Sequence, residues 1–261
     1  MKILTCNIRF SSMGHDTGER HWSQRGEYCL DCIASREPDL LCLQECHNVQ
    51  LADFVRRFGN EYDVFYTNSY AGDYFPENAI FYRKKAFCYH GGGGWHLSEK
   101  PHVAGTKGWG SECVRLVNWL LLEDAEGKLF RLVNTHFDHA SQLARDKAAE
   151  MVNEDVAAWP QDIPHILTGD LNCDADNTAV KTLEAAGWKD TMPEDKRLFP
   201  TCHDFLGDKW RGPMPDGQSG RMDYIFIRGA LEAKATEIIC DHRGTMYPSD
   251  HYFLAADLQR V

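Results

Sequence analysis

A chain of 261 residues with 39 acidic and 28 basic side chains carries a formal net charge of −11. Lys and Arg are dispersed apart from short clusters such as Arg83-Lys84-Lys85. This weighs against a general DNA or RNA binder, which depends on clustered positive charge, and leaves a nuclease with a local basic groove as the alternative.

Residues 2–10 alternate as a strand, with Leu4, Cys6 and Ile8 on one face and Thr5, Asn7 and Arg9 on the other. This opening lacks the long apolar core of a signal peptide. With Met1 as the native start, the protein is expected in the cytoplasm; with a leader removed upstream, it is expected to be secreted or periplasmic. Residues 22–36 read as a helix whose apolar face includes Cys29, Cys32 and Ile33. Cys29 and Cys32 form a C-x-x-C, followed by Cys42 and Cys46, a set that structural zinc could use. All four lie on elements whose own burial accounts for them, so core thiols are expected. The ten cysteines are scattered among apolar runs rather than spaced as a disulfide framework, and most are expected to be free and buried.

Residues 40–44 are apolar on both faces, as in a strand covered from both sides. A helix over 49–58 and strands over 64–67 and 79–82 follow. Gly91 to Gly94 lacks the Gly-Lys-Ser/Thr of a phosphate-binding loop and is expected to be a bend at a sheet edge. Strands are expected at 114–122 and 129–135, a helix at 141–159, a strand at 163–168 and a helix at 178–186. Strands at 223–227, 235–240 and 252–258 complete the chain. No apolar stretch approaches the roughly 20 residues of a membrane-spanning helix. No linker divides compositionally different halves and no internal repeat is visible, so one domain over residues 1–261 is expected. About ten strands with four helices indicate two packed sheets flanked by helices.

Polar groups sit at the ends of these strands. Asn7 lies at the far end of the first; Glu45 follows the second; His136 and Asp138 follow 129–135; Asp170 and Asn172 follow 163–168. Asp223 opens its strand, and Asp250 and His251 open the last. Taken singly, each has an ordinary reading as a cap, a turn or a rim residue, and "TGDLNC" alone reads as a turn. Together they form the arrangement in which rigid strands deliver a site from their ends.

"CNIRF", "LQE", "NTHFDH", "TGDLN", "RMDYIFI" and "SDH" occur in the order and rough spacing of the endonuclease/exonuclease/phosphatase superfamily, which this chain resembles from Met1 to about Leu258. The resemblance implies a four-layer α/β sandwich and hydrolysis of a phosphomonoester or phosphodiester by water, assisted by Mg²⁺, with Mn²⁺ as a substitute. By the same resemblance Glu45 is the principal metal ligand, with Asn7 and Asp250 assisting. Asp170 would orient and deprotonate the water, and Asn172 would hold the phosphate or the nucleophile. His251 would bind a phosphoryl oxygen with Asp223 fixing its tautomer, and His136 would contact the phosphate or assist the leaving group. Asp138 would orient His136 or touch substrate, and Arg115 and Arg9 are further candidate substrate contacts.

Tyr252 and Phe253 after "SDH" depart from the family's usual small or variable residue followed by Pro, and Cys173-Asp174 after "GDLN" and Arg221 ahead of Met222-Asp223 depart from the inositide-phosphatase branch. "NIRF", "GERHW" and "GTKGW" look most like a bacterial subgroup. The charge balance favours a phosphorylated small molecule over nucleic acid as substrate. A dinuclear zinc hydrolase would need H-x-H-x-D-H, whereas residues 134–139 read Asn-Thr-His-Phe-Asp-His. A silent binding module on the same scaffold is the other rival.

Overall fold

The computed structural model describes residues 1–11, 16–69, 76–213 and 218–261. The N-terminal alternation forms strand β1 (Lys2–Asn7) but stops three residues before the pattern does. Arg9 takes a left-handed backbone at φ 54°, and its N–H turns back to Asn7 Oδ1 at 3.0 Å. That local bond competes with the ladder and ends it. Helix α1 (Trp22–Ala34), β2 (Leu40–Gln44), α2 (Asn48–Phe58), β3 (Tyr62–Phe65) and β4 (Ile80–Arg83) follow. Next come β5 (Cys88–His96), β6 (Leu116–Glu123), β7 (Leu129–His136), α3 (Gln142–Ala157), β8 (His165–Asp170) and α4 (Thr178–Ala185). The last are β9 (Lys189–Asp190), β10 (Asp223–Arg228), β11 (Leu231–Ile239) and β12 (Phe253–Arg260).

Two mixed six-stranded sheets result, in the orders β11-β12-β1-β2-β4-β3 and β5-β6-β7-β8-β10-β9. Each has one parallel pair, β1 with β2 and β7 with β8, and the other pairings are antiparallel. The run β1-α1-β2-α2-β3-β4 therefore repeats topologically as β7-α3-β8-α4-β9-β10. Residue identity shows no trace of this repeat, because many apolar sets satisfy one layer pattern.

The sheets face one another across a core that includes Ile3, Leu40, Ile80, Leu120, Phe130, Leu132, Ile166, Ile225 and Leu254. On the outer face of the first sheet, Leu4, Cys6, Ile8, Leu41 and Leu43 meet Trp22, Cys29, Ile33 and Phe54 of α1 and α2. On the second, Val133, Leu167, Tyr224 and Phe226 meet Ala148, Val152, Val180 and Leu183 of α3 and α4. This is a four-layer sandwich. The Cys29, Cys32, Cys42 and Cys46 thiols are free and buried in these layers, and burial pushes Cys29 and Cys42 up to about 12.

The tetraglycine is not a bend but the middle of edge strand β5, paired with β6. Its glycines permit close packing: a Cβ on Gly94 would stand 2.4 Å from Thr67 Oγ1. Without side chains that alternate, this strand leaves no periodic signal, and the two-residue β9 is too short to leave one.

Between the sheets, one layer below the rim, lies a buried polar network. Gln44 Nε2 donates to Asn134 Oδ1 at 2.7 Å and to Thr5 Oγ1 at 3.0 Å. Thr168 Oγ1 donates to Asn134 Oδ1 at 3.1 Å, and Asn134 Nδ2 donates to the Leu43 carbonyl at 2.8 Å. Asn134, the residue at the first histidine position of a zinc-hydrolase motif, is thus committed to joining the sheets.

Candidate active site

Parallel strands end at the same edge of a sheet, and antiparallel neighbours begin there. That rule gathers the strand-end groups. Asn7 and Glu45 leave β1 and β2 at one rim, while Asp250 and His251 enter β12 from it. In the second sheet His136 and Asp170 are register partners at the ends of β7 and β8, and Asp223, which opens β10, is also opposite Asp170. The β7–β8 pairing requires Gly169, because a Cβ there would stand 2.2 Å from the Thr135 carbonyl oxygen.

Side chains from the two sheets meet across this rim. Asn7 Nδ2 donates to Asp170 Oδ2 at 2.8 Å and to Glu45 Oε1 at 3.1 Å. The Phe10 N–H donates to Glu45 Oε2 at 3.0 Å. Asp170 Oδ1 accepts the Asn172 backbone N–H at 2.8 Å, so "GDLN" is both a side-chain-stabilised turn and a site element. His136 Nε2 lies 3.5 Å from Asp170 Oδ2 and 2.9 Å from the Asn172 amide. His251 places Nδ1 2.8 Å from Asp223 Oδ2 and Nε2 3.9 Å from Asp170 Oδ2. Arg9 is at the edge, its Nη1 3.7 Å from Asp250 Oδ2.

Four of the loops here hold a non-glycine residue in the left-handed region: Arg9 (φ 54°), Glu45 (φ 59°), Glu77 (φ 34°) and Asn172 (φ 50°). Strain of this kind persists where surrounding bonds over-determine the backbone, and it clusters at functional sites.

The electrostatics are uneven. Burial alone would push Glu45 up, but the facing His136, the Phe10 N–H and the Asn7 amide bring it down to about 2. Burial also pulls the His251 imidazole down, and the Asp223 carboxylate outweighs it, raising the ring well above the ordinary histidine value. Asp250 is raised, first by burial; His251 opposes that shift and the like charge of Glu45 adds to it. Asp223 Oδ1 is buried without a hydrogen-bond partner. One ligand atom each from Asp170, Asp223 and His251 lies within 4.8 Å of the others. Glu45 and Asp250, which the resemblance assigns to the cation, stand outside that cluster and offer carboxylate oxygens alone, a donor set that suits a hard divalent cation.

Two expected substrate contacts are otherwise engaged. Asp138 accepts four backbone N–H groups, from Glu112 (2.9 Å), Cys113 (3.1 Å), Ala140 (3.0 Å) and Ser141 (2.9 Å). It organises the loop after β7 and does not orient His136. Arg115 is buried under the rim, where Nη1 donates to Glu77 Oε1 at 2.9 Å and lies 2.8 Å from His136 Nδ1, a pairing that places it behind His136 rather than on an open phosphate position.

Glu77 was not anticipated. It is 3.5 Å from His136 Nδ1 and accepts the Ser69 hydroxyl at 3.0 Å. "PENAIF" places a carboxylate and a carboxamide just ahead of an apolar strand, a signal akin to the one that Asp223 gives at the start of its strand in "RMDYIFI". Ser249 and Thr201 also escaped notice. Ser249 Oγ donates to the Asn7 carbonyl at 2.7 Å, and Thr201 Oγ1 accepts the Asp223 N–H at 3.1 Å. Ser249 opens the "SDH" motif, of which only the acid and imidazole are expected site groups, whereas nothing in the local sequence distinguishes Thr201 from an ordinary loop hydroxyl.

The four-layer fold and this acid- and imidazole-lined rim define a phosphoesterase of the metal-dependent kind. Residues 4–251 match the model of the Endonuclease/Exonuclease/phosphatase family, and the chain belongs to that family. Comparison with curated proteins finds no match. Among solved structures, an endonuclease/exonuclease/phosphatase from Bacteroides vulgatus is 28% identical, with 100% of this chain and 98% of that chain covered and a TM-score of 0.86. A family member from Bacteroides thetaiotaomicron is 26% identical, covering 99% and 97%, with a TM-score of 0.87. A mannosyl-6-phosphatase from Bacteroides thetaiotaomicron VPI-5482 is 25% identical, covering 99% of each chain, with a TM-score of 0.87.

Proposed function

We propose that this protein is a Mg²⁺-dependent phosphomonoesterase acting on a phosphorylated small molecule of the sugar-phosphate class. The observation that carries the reading is Asp170, which is bonded to Asn7 and faces both His136 and His251 at one rim. The similarity to a mannosyl-6-phosphatase over nearly the full length of both chains supports the substrate class, as does a net charge of −11 without a basic run.

Phosphoryl transfer depends on positioning and charge neutralisation more than on covalent help from the protein. Glu45, Asn7 and Asp250 would hold the cation, on the side of Asp170 that the Asn7 amide marks. When bound, a hard cation supplies positive charge to offset the charge that builds on phosphoryl oxygens. Asp170 orients the attacking water and accepts its proton, with the Asn172 amide beside it. His251, kept cationic by Asp223, donates from Nε2 to a phosphoryl oxygen whose charge grows in the transition state. His136, backed by Glu77 and Arg115, faces the same centre from the second sheet and serves the phosphate or the leaving oxygen.

Metal-stripped protein resupplied with Mg²⁺ or Mn²⁺ should release phosphate from hexose 6-phosphates faster than it cleaves bis(p-nitrophenyl) phosphate or a single-stranded oligonucleotide. Cleavage of the oligonucleotide with no release from any monoester would overturn the substrate assignment.

A further inference from the structure

Two loops that carry site groups, the one leaving β1 and the one entering β12, are joined by a single side chain of α1. Arg25 is fully buried, and all four of its hydrogen bonds among the described residues go to backbone carbonyls. Nε donates to Arg20 at 2.7 Å, Nη1 to Ile8 and to Pro248 at 2.8 Å each, and Nη2 to Arg9 at 2.8 Å. Removing a guanidinium from water costs heavily unless its donors are satisfied. Here the fork geometry satisfies them with four separate points of the chain, and the cation also lies 5.1 Å from the Trp22 ring and 5.5 Å from that of Phe205.

The carbonyls it grips are those that set the site. Arg9 is left-handed, and its carbonyl takes a second bond from Gln50 Nε2 at 2.8 Å. With Arg9 so fixed, the next N–H, that of Phe10, meets Glu45 Oε2 at 3.0 Å. On the other loop the Pro248 carbonyl precedes Ser249, whose hydroxyl donates to the Asn7 carbonyl and lies 3.1 Å from Asp250 Oδ1. One guanidinium therefore spans from the backbone that orients Glu45 to the backbone that orients Asp250.

We propose that Arg25 is a positioning residue: by bridging the Ile8–Arg9 and Pro248 carbonyls it fixes the separation of Glu45 and Asp250 and thereby sets the affinity of the site for its divalent cation. The inference rests on the assignment of those two carboxylates to the cation. A lysine at this position carries the charge but cannot reach four carbonyls at once. Loss of groups that orient metal ligands commonly weakens binding by about 10- to 100-fold.

The test is Mn²⁺ titration by calorimetry, with thermal melts, on wild type, Arg25→Lys, Gln50→Met and a control, Arg131→Lys. Arg131 is also buried, held between Trp119 and Trp159 with Asp155 as its ion partner, in the middle of β7. Arg25→Lys should weaken Mn²⁺ binding by about tenfold or more, and Arg131→Lys should lose melting temperature while keeping wild-type affinity. Equal affinity in both lysine variants overturns the inference, whichever value they share. If Arg25→Lys does not fold, Gln50→Met decides: several-fold weaker Mn²⁺ binding supports the positioning role and wild-type binding overturns it. Absence of Mn²⁺ binding by wild type overturns the assignment of Glu45 and Asp250, and this inference with it, whereas tight wild-type binding unaffected by Arg25→Lys overturns the inference alone.

Discussion

Asp170 is where the second sheet meets the first, and its charge rather than its shape is what the chemistry requires. Asp170→Asn preserves the volume and keeps an acceptor for the Asn172 N–H but turns an N–H toward the Asn7 amide, so a stability loss of about 1–3 kcal/mol without loss of fold is expected. Turnover should fall by about 10²- to 10⁴-fold, the usual contribution of a placed general base. Steady-state rates on a hexose 6-phosphate check this, and a wild-type rate in the variant would remove Asp170 from the mechanism. His165, remote from the rim, allows a separate test of burial. Burial, helped by Arg131 and Arg228, lowers it from 6.5 to about 4. The unfolded chain therefore takes up a proton below pH 6.5 that the folded protein refuses. Stability is full above that pH and declines as pH falls toward 4, at up to about 1.4 kcal/mol per pH unit for one group. Urea midpoints at pH 7 and pH 5 should diverge less in His165→Leu than in wild type; equal divergence would show that this ring does not couple to folding.

Strands set the position of the rim, but polar groups inside the sandwich set the register of one sheet on the other. Asn134 is the hub of that layer: it accepts from Gln44 and Thr168 and donates to the Leu43 carbonyl. Asn134→Leu would leave buried donors and an acceptor without partners, at about 1–3 kcal/mol for each group stranded. A loss of about 3 kcal/mol in chemical denaturation is expected, and a loss below 1 kcal/mol would mean that the layer rearranges without penalty. Buried arginines perform a comparable task for loops. Besides Arg25, Arg145 donates to the Asp138 carbonyl at 2.9 Å and the His139 carbonyl at 3.0 Å, and Arg221 donates to the Asp223 carbonyl at 2.9 Å. Each fixes a segment that carries an acid or imidazole, and none of the three is distinguishable in sequence from a surface arginine.

For the molecule as a whole, the strongest coupling between site and stability is electrostatic. The carboxylates of half-buried Glu45 and buried Asp250 repel one another across the rim, and a bound cation would relieve that repulsion. Adding Mn²⁺ to metal-stripped protein at about 100 times its Kd should stabilise the fold by roughly 2.7 kcal/mol. A melt would register this as an upward shift of several degrees, absent in Glu45→Gln; an identical shift in that variant would place the cation elsewhere. The sequence alone determined the four helices, ten of the twelve strands among the described residues, and the groups that stand at strand ends, because a period of two or 3.6 and the abrupt change from apolar to polar are local signals. The same logic applied to Glu77 would have found it. Tertiary structure alone decided that Asp138 is spent on backbone N–H groups, that Arg115 stands behind His136, that four glycines pair as an edge strand, and that Arg25 ties two loops. Each of those outcomes depends on which carbonyl, amide or ring lies across a gap from residues distant in the chain, and no property of the residue itself encodes that neighbour.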